Sequence, residues 1–158
     1  MKYRRLTKEQ LEEMHPEFIN FLATQSITAD EWKDIKTNKP EVAEEEIDVF
    51  SDLVWEGVLG KVEYLENISD AEMHLFHLGN KEMGLIAVRV HQPGVNLTTE
   101  AGFDWFKKNF LTDAVEMMTA KKAYSEDPNK DKFELIEKGA VITKGELFRY
   151  FDDIIEIE

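Results

Sequence analysis

Three of the four histidines in the chain fall within one stretch, Glu72 to His91, "EMHLFHLGNKEMGLIAVRVH". His74 and His77 form an H-x-x-H pair. On a helix, residues three apart share a face, and both imidazoles could ligate one ion. On a strand, successive side chains alternate, and the same two rings point to opposite faces. The element therefore decides the chemistry. "LIAVRV", Gly79 and Gly84 favour strand, and "LGNKEM" reads as a hairpin turn between two apolar runs. A two-residue loop at Asn80-Lys81 and a four-residue loop from Gly79 to Glu82 give the same register. Leu78 faces Met83, Leu75 faces Ile86, Met73 faces Val88 and Glu72 faces Arg89. That register gathers Met73, Leu75, Ile86, Val88 and Val90 on one face, with His77 beside Gly84. It also sets an opposite-charge pair across the ladder. His74 lies on the other face opposite Ala87, and His91 lies opposite Asp70. His74, His77, His91 and Asp70 are the metal-ligand candidates. No two of the histidines are cross-strand partners, so no metal site is expected.

Other chemistry is thinner. Asp127, Asn129 and Asp131 imitate the start of a calcium-binding EF-hand loop. Lys132 stands where that loop needs glycine, and Lys138 where it needs a bidentate glutamate. The run reads instead as a turn and helix N-terminus, where acids suit the helix dipole. Carboxylate pairs such as Glu44, Glu45 and Glu46 are too common in this chain to signal acid–base catalysis. There is no P-loop, no G-x-S-x-G and no dinucleotide fingerprint. The absence of cysteine excludes thiolate catalysis, disulfides and cysteine-ligated metals. No catalytic residue and no cofactor is identified.

Helix starts are well marked. Thr7 and Gln10 form a capping box, with Leu6 and Leu11 as its hydrophobic staple. Leu11, Met14, Phe18, Phe21 and Leu22 then recur at helical spacing. Pro16 either kinks this helix or opens a second one near His15. Thr28 and Glu31 repeat the box before a helix to about Lys39, with Ile27 and Trp32 as the staple. Pro40 opens a third run to Gly60, with Val42, Ile47, Phe50, Val54 and Val58 as its stripe and Leu53 and Trp55 broadening it. From Thr98 or Thr99 a long helix is expected to continue through Phe103, Phe106, Phe110, Ala114, Met117 and Met118. Phe133, Leu135 and Ile136 lie on a helix ending at Lys138 with Gly139 as its left-handed cap. Thr143 and Glu146 form a third box before a final helix that carries Leu147, Phe148, Tyr150 and Phe151 inward. "FELIEKGAVITKGELFRYF" has the cadence of a helix-turn-helix. Its second helix offers only Lys144 and Arg149 before Asp152, Asp153, Glu156 and Glu158, so it reads as a helix-packing corner rather than a DNA reader.

With 33 acidic residues against 19 basic ones, the net charge is −14. Such a surface repels phosphate backbones, and the one dense basic cluster is Lys2, Arg4 and Arg5. No apolar run approaches the ~20 residues of a membrane span, and the N-terminus has no apolar signal core. A cytoplasmic location is the default. A chain of 158 residues with 42% hydrophobic content suits one globular domain, residues 1–158.

The phrases "FINFLATQSITADEW", "DVFSDLVWEGVL", "LTTEAGFDW" and "LIEKGAVITKGEL" together resemble a family of bacterial proteins defined only as a domain of unknown function. The resemblance covers most of the chain and implies a small soluble bacterial protein. It carries no catalytic residue, ligand or partner.

The expected fold is α+β and predominantly helical, with five or six helices around a small antiparallel β-hairpin. Asn96-Leu97 is a candidate for a short third strand. The expected function is a non-enzymatic protein-interaction or regulatory domain whose acidic face meets a basic protein partner. The alternative is an enzyme or small-molecule-binding protein with a pocket built from sequence-distant residues.

Overall fold

Capping chemistry starts the first helices where the sequence places them. The computed structural model describes residues 1–157, and these divide into one unit from Met1 to Gly60 and a second beginning at Lys61. In the first unit, the Thr7 hydroxyl accepts from the Gln10 amide at 3.2 Å, and the Gln10 side chain accepts from the Thr7 amide at 2.8 Å. This box opens α1 (Lys8–Glu13). Pro16 sits in the first turn of a separate helix, α2 (His15–Thr24), where its missing N–H costs nothing. Thr28 caps α3 (Ala29–Asn38) by accepting from the Glu31 amide. Between α2 and α3, Ser26 adopts φ +61°. The Ser26 amide donates to the Ala23 carbonyl and the Ile27 amide to the Leu22 carbonyl, which is a Schellman closure. Pro40 opens α4 (Pro40–Lys61).

Aromatic rings form the core of this unit. Phe18 meets Trp32 edge-on at 5.1 Å and Phe50 at 5.0 Å, and Phe21 lies 5.4 Å from Phe50. The chain's opening residues are strapped along α4. The Leu6 amide donates to the Ser51 hydroxyl, which itself donates to the Ile47 carbonyl. The Trp55 indole N–H donates to the Arg4 carbonyl at 3.1 Å. This strap shifts the buried stripe of α4. Ala43, Phe50, Ser51, Trp55 and Leu59 are buried, whereas Leu53 is 55% and Val58 39% exposed. The Val42-to-Val58 stripe is thus only partly correct. Ser51, satisfied at both ends by hydrogen bonds, takes an inward position that an apolar count assigns to a neighbour.

The second unit is built on a sheet of order β4-β3-β2-β1-β5. Its members are β1 (Tyr64–Ile68), β2 (Glu72–Leu78), β3 (Glu82–Val90), β4 (Val115–Ala123) and β5 (Val141–Ile142). All four pairings are antiparallel. The β2–β3 register is the one expected: Leu75 opposite Ile86, Met73 opposite Val88, Glu72 opposite Arg89, His74 opposite Ala87 and His77 opposite Gly84. One face carries Met73, Leu75, Ile86, Val88 and Val90 against Phe106 of α5 (Glu100–Asn109) and Phe151 of α7 (Glu146–Ile157). The opposite face packs Leu65, Leu78, Phe76 and Met83 against Leu135 and Ile136 of α6 (Pro128–Glu137).

Among the described residues there are seven helices rather than five or six, and a five-stranded sheet rather than a hairpin. The expected long helix from Thr99 ends at Asn109. Thr112 closes a turn on Asn109, and Val115–Ala123 becomes a strand paired along all of β3. Met, Ala, Lys and Glu favour helices, and no glycine or proline interrupts them. Pairing with β3 overrides that preference, as tertiary context commonly does. Asn96-Leu97 is not a strand; the Leu97 amide donates to the Asp70 carbonyl from a loop. The supposed helical corner contains β5, which joins the sheet edge between α6 and α7. Gly139, at φ +110°, closes α6 as expected: its amide reaches the Ile136 carbonyl and the Ala140 amide the Leu135 carbonyl. Thr143 does not build a box with Glu146. Its hydroxyl accepts from the Gly145 amide instead. Gly145, at φ +78°, leaves no room for a side chain, since a Cβ would lie 2.3 Å from the Tyr64 ring. Glu158, counted with the acids of the last helix, lies outside the described residues.

Two predictions follow from these caps and straps. A non-glycine residue at positive φ costs about 1 kcal/mol, so Ser26→Gly should raise stability by up to about 1 kcal/mol in denaturant titrations, less the entropy glycine adds to the unfolded chain. The Tyr3 phenol is raised from 10.0 to about 12, chiefly by burial and next by its hydrogen bond to Glu56. A raised folded-state value means that its stabilisation is complete below pH 10 and disappears as pH rises through about 12. Alkaline unfolding of the native chain should therefore steepen across that window, and Tyr3→Phe should flatten the steepening.

Candidate functional site

The histidines occupy the strand positions that separate them. His77 lies between the tilted rings of Tyr64 at 5.1 Å and Phe148 at 5.6 Å, on the face covered by α7. His74 lies on the other face, its ring 6.5 Å from Phe76. It borders a shallow hollow of about 150 Å³ with Glu72, Arg89, Glu116 and Met118. Arg89 and Glu72 form an ion pair at 2.6 Å, the pairing the register requires. Partly exposed pairs of this kind are worth a few tenths of a kcal/mol. His91 does not turn to Asp70; its Nε2 lies 3.1 Å from Glu116. Among the described residues, no group of three His, Asp or Glu side chains is placed to hold an ion. Asp127 caps α6 by accepting from the Lys130 amide, and Asp131 accepts from the Ser125 amide and hydroxyl. Both EF-hand-like carboxylates thus serve the turn.

A cavity of about 350 Å³ opens between α5 and α7, lined by Phe103, Phe106, Phe110, Leu147, Tyr150 and Phe151, with Lys107 at its rim. Phe106 and Phe151 meet at 5.6 Å, and Phe110 and Phe151 edge-on at 5.5 Å. Lys107 lies 3.1 Å from Asp104 and 5.7 Å from the Phe103 ring. The rings give this space an apolar wall, and Lys107, whose ammonium pairs with Asp104, is its one charged lining residue. That is the usual make-up of a small-molecule site. Its two walls come from helices far apart in sequence, and no spacing rule brings them together.

Burial perturbs Lys132, which the EF-hand pattern singles out only as a mismatch, and Tyr124. Lys132 is buried, with its ammonium 5.8 Å from the Tyr124 ring, and burial lowers its pKa. Burial, and then the nearby Asp131 charge, raise the Tyr124 phenol, whose hydroxyl donates to the Gly79 carbonyl at 2.7 Å. The Tyr124 hydroxyl fastens the β2–β3 turn to the end of β4, and the Lys132 ammonium lies over the Tyr124 ring. A signal was present: Lys132, Leu135 and Ile136 share one helical stripe.

In the first unit, the basic cluster is spent internally. Lys2 pairs with Glu56 at 2.8 Å and Arg5 with Asp48 at 2.7 Å, and Asp52 accepts from the Lys2 and Tyr3 amides. The Asp48 carboxylate raises the pKa of the Arg5 guanidinium. The Arg4 guanidinium lies 5.1 Å from the Trp55 ring. Away from this strap, α4 exposes Val49 and Leu53, 51% and 55% accessible and one turn apart. Glu45, one turn before Val49, and Glu41, a further turn back, are also exposed.

Among the described residues, no helix is long and apolar enough to cross a membrane. No curated protein and no solved structure matches the chain. A family model matches residues 1–156, a span that includes all four phrases of the resemblance. The chain belongs to a family of unknown function, DUF6495.

Proposed function

We propose that this is a non-enzymatic protein-interaction domain that receives a basic partner protein on helix α4. The carrying observation is the exposed Val49–Leu53 pair, with exposed Glu45 and Glu41 on the turns before it. An apolar anchor with a charged rim is the anatomy of a specific protein contact, in which the anchor supplies affinity and the rim supplies steering and selection. The strap engages Asp48, Asp52 and Glu56 with Lys2, Tyr3 and Arg5, so the open carboxylates lie on the turns before the anchor, Glu41 and Glu45 among them. A complementary partner presents apolar side chains flanked by lysine or arginine.

The α5–α7 cavity favours a second reading, a binding site for a small aromatic or aliphatic ligand bearing an acid group. The rings bury the apolar body, and the Lys107 ammonium exchanges its Asp104 partner for the ligand's acid.

Affinity capture from native lysate tests the first reading. The chain should retain a basic protein that high salt releases, and Val49→Asp with Leu53→Asp should lose it. Because both side chains are exposed, stability should change by no more than about 0.5 kcal/mol in either variant. Recovery of no salt-sensitive partner overturns this reading. An anionic naphthalene dye tests the second: it should bind saturably with enhanced fluorescence, and Leu147→Trp, which fills the cavity, should abolish the signal. Equal dye binding by both forms removes the cavity from consideration.

A further inference from the structure

The sheet ends on one side at β4, a nine-residue strand with no proline and an unbroken register against β3. From Met118 to Ala123 every residue is exposed, and Met118 is 58% accessible. Proteins rarely leave so long and regular an edge unprotected, because its free amides and carbonyls template another strand.

The phase of the β3–β4 ladder fixes which groups are free. The His91 amide donates to the Ala114 carbonyl at 2.8 Å, and His91 and Ala114 continue the pairing in which Val90 faces Val115. Hydrogen-bonded pairs alternate along an antiparallel ladder. Residues 114, 116, 118, 120 and 122 therefore turn their backbone groups toward β3. Met117, Thr119, Lys121 and Ala123 present theirs outward, whereas the Val115 amide is already taken by the Thr112 carbonyl at 3.2 Å.

The sequence of β4, "VEMMTAKKA", is complementary to itself about Thr119. Antiparallel pairing with a second copy, centred there, sets Thr119 against Thr119 at a hydrogen-bonded position. Met117 then opposes Lys121, and Val115 opposes Ala123. At the intervening close-packed positions, Met118 opposes Ala120 and Glu116 opposes Lys122, so two opposite-charge pairs form, one on each side of the axis. Moving the centre to residue 118 puts Glu116 against Ala120, and moving it to residue 120 puts Glu116 against Tyr124. Of these three registers, only the Thr119-centred one pairs acid with base. The lysines, which on most edges deter pairing, here select one register.

We propose that β4 is a homodimer interface: two copies join edge to edge about a two-fold axis at Thr119, making one continuous ten-stranded sheet. Each interface residue meets its counterpart in reciprocal fashion, as a closed two-fold contact requires. The proposal is independent of the partner surface on α4.

Sedimentation and light scattering of the full chain test it, with circular dichroism to verify folding. The native chain should show twice the 18.4 kDa of one copy. Glu116→Lys alone and Lys122→Glu alone should each be monomeric, since each sets like charges across the axis. An equimolar mixture of the two should regain the dimer, and so should the Glu116→Lys/Lys122→Glu double variant. The double variant also lacks the His91–Glu116 contact, so its recovery assigns the effect to the cross-copy pairs. Thr119→Pro, which removes an outward N–H and leaves the β3 ladder intact, should be folded and monomeric. A monomeric native chain overturns the proposal. So does a dimer indifferent to both charge reversals, or a pair of monomeric reversals that mixing does not rescue.

Discussion

The two-residue alternation of β2 is the constraint on which the second unit depends. Met73 and Leu75 point one way and Phe76 points the other with Leu65 of β1. Each set recruits its own cover, α5 and α7 on the first face and α6 on the second. A slip of one residue would exchange the faces and expose both sets. The Glu72–Arg89 pair and the Gly84 gap beside His77 both suit the observed register and no slipped one. The histidines follow passively: His77 becomes a filler between Tyr64 and Phe148, and His74 borders a shallow hollow beside the Glu72–Arg89 pair.

Much of this was legible where the determining interactions are local. Caps at Thr7, Thr28 and Gly139, and the whole β2–β3 register, depend on residues close in sequence. The failures share the opposite property. β4 is composed largely of helix formers and is extended because β3 offers it a full ladder. β5 is two residues long and exists only through pairing with Leu65 and Glu66 of β1. The Thr143 hydroxyl accepts from Gly145 instead of Glu146, and Gly145 sits where a Cβ would strike the Tyr64 ring of a distant strand.

The candidate sites divide along the same line. Strand alternation alone was enough to part His74 from His77. The α5–α7 cavity could not be foreseen, because Phe106 and Phe151 belong to separate helices whose periodicities say only that each has an apolar face. On α4 the charge was visible but its availability was not. Only the strap reveals that the basic cluster at Lys2 to Arg5 is already engaged, and that the carboxylates beside Val49 and Leu53 are a smaller set than composition implies.

The strand order also imposes a schedule on folding. β2 and β3 are joined by a tight turn, and β1 meets β2 across another short one, where the Ser69 amide donates to the Glu72 carbonyl. Closing such short loops costs little entropy, and a three-stranded meander can form early. β4 joins only after α5 has been laid down, and β5 must return from beyond β4 and α6 to reach β1. The two edges are therefore the last parts of the sheet to close. While they are open, β3 and β1 are themselves edges, and apolar Ile86, Val88 and Leu65 border them. The interval before β4 docks is when this chain is most exposed to pairing with the wrong strand.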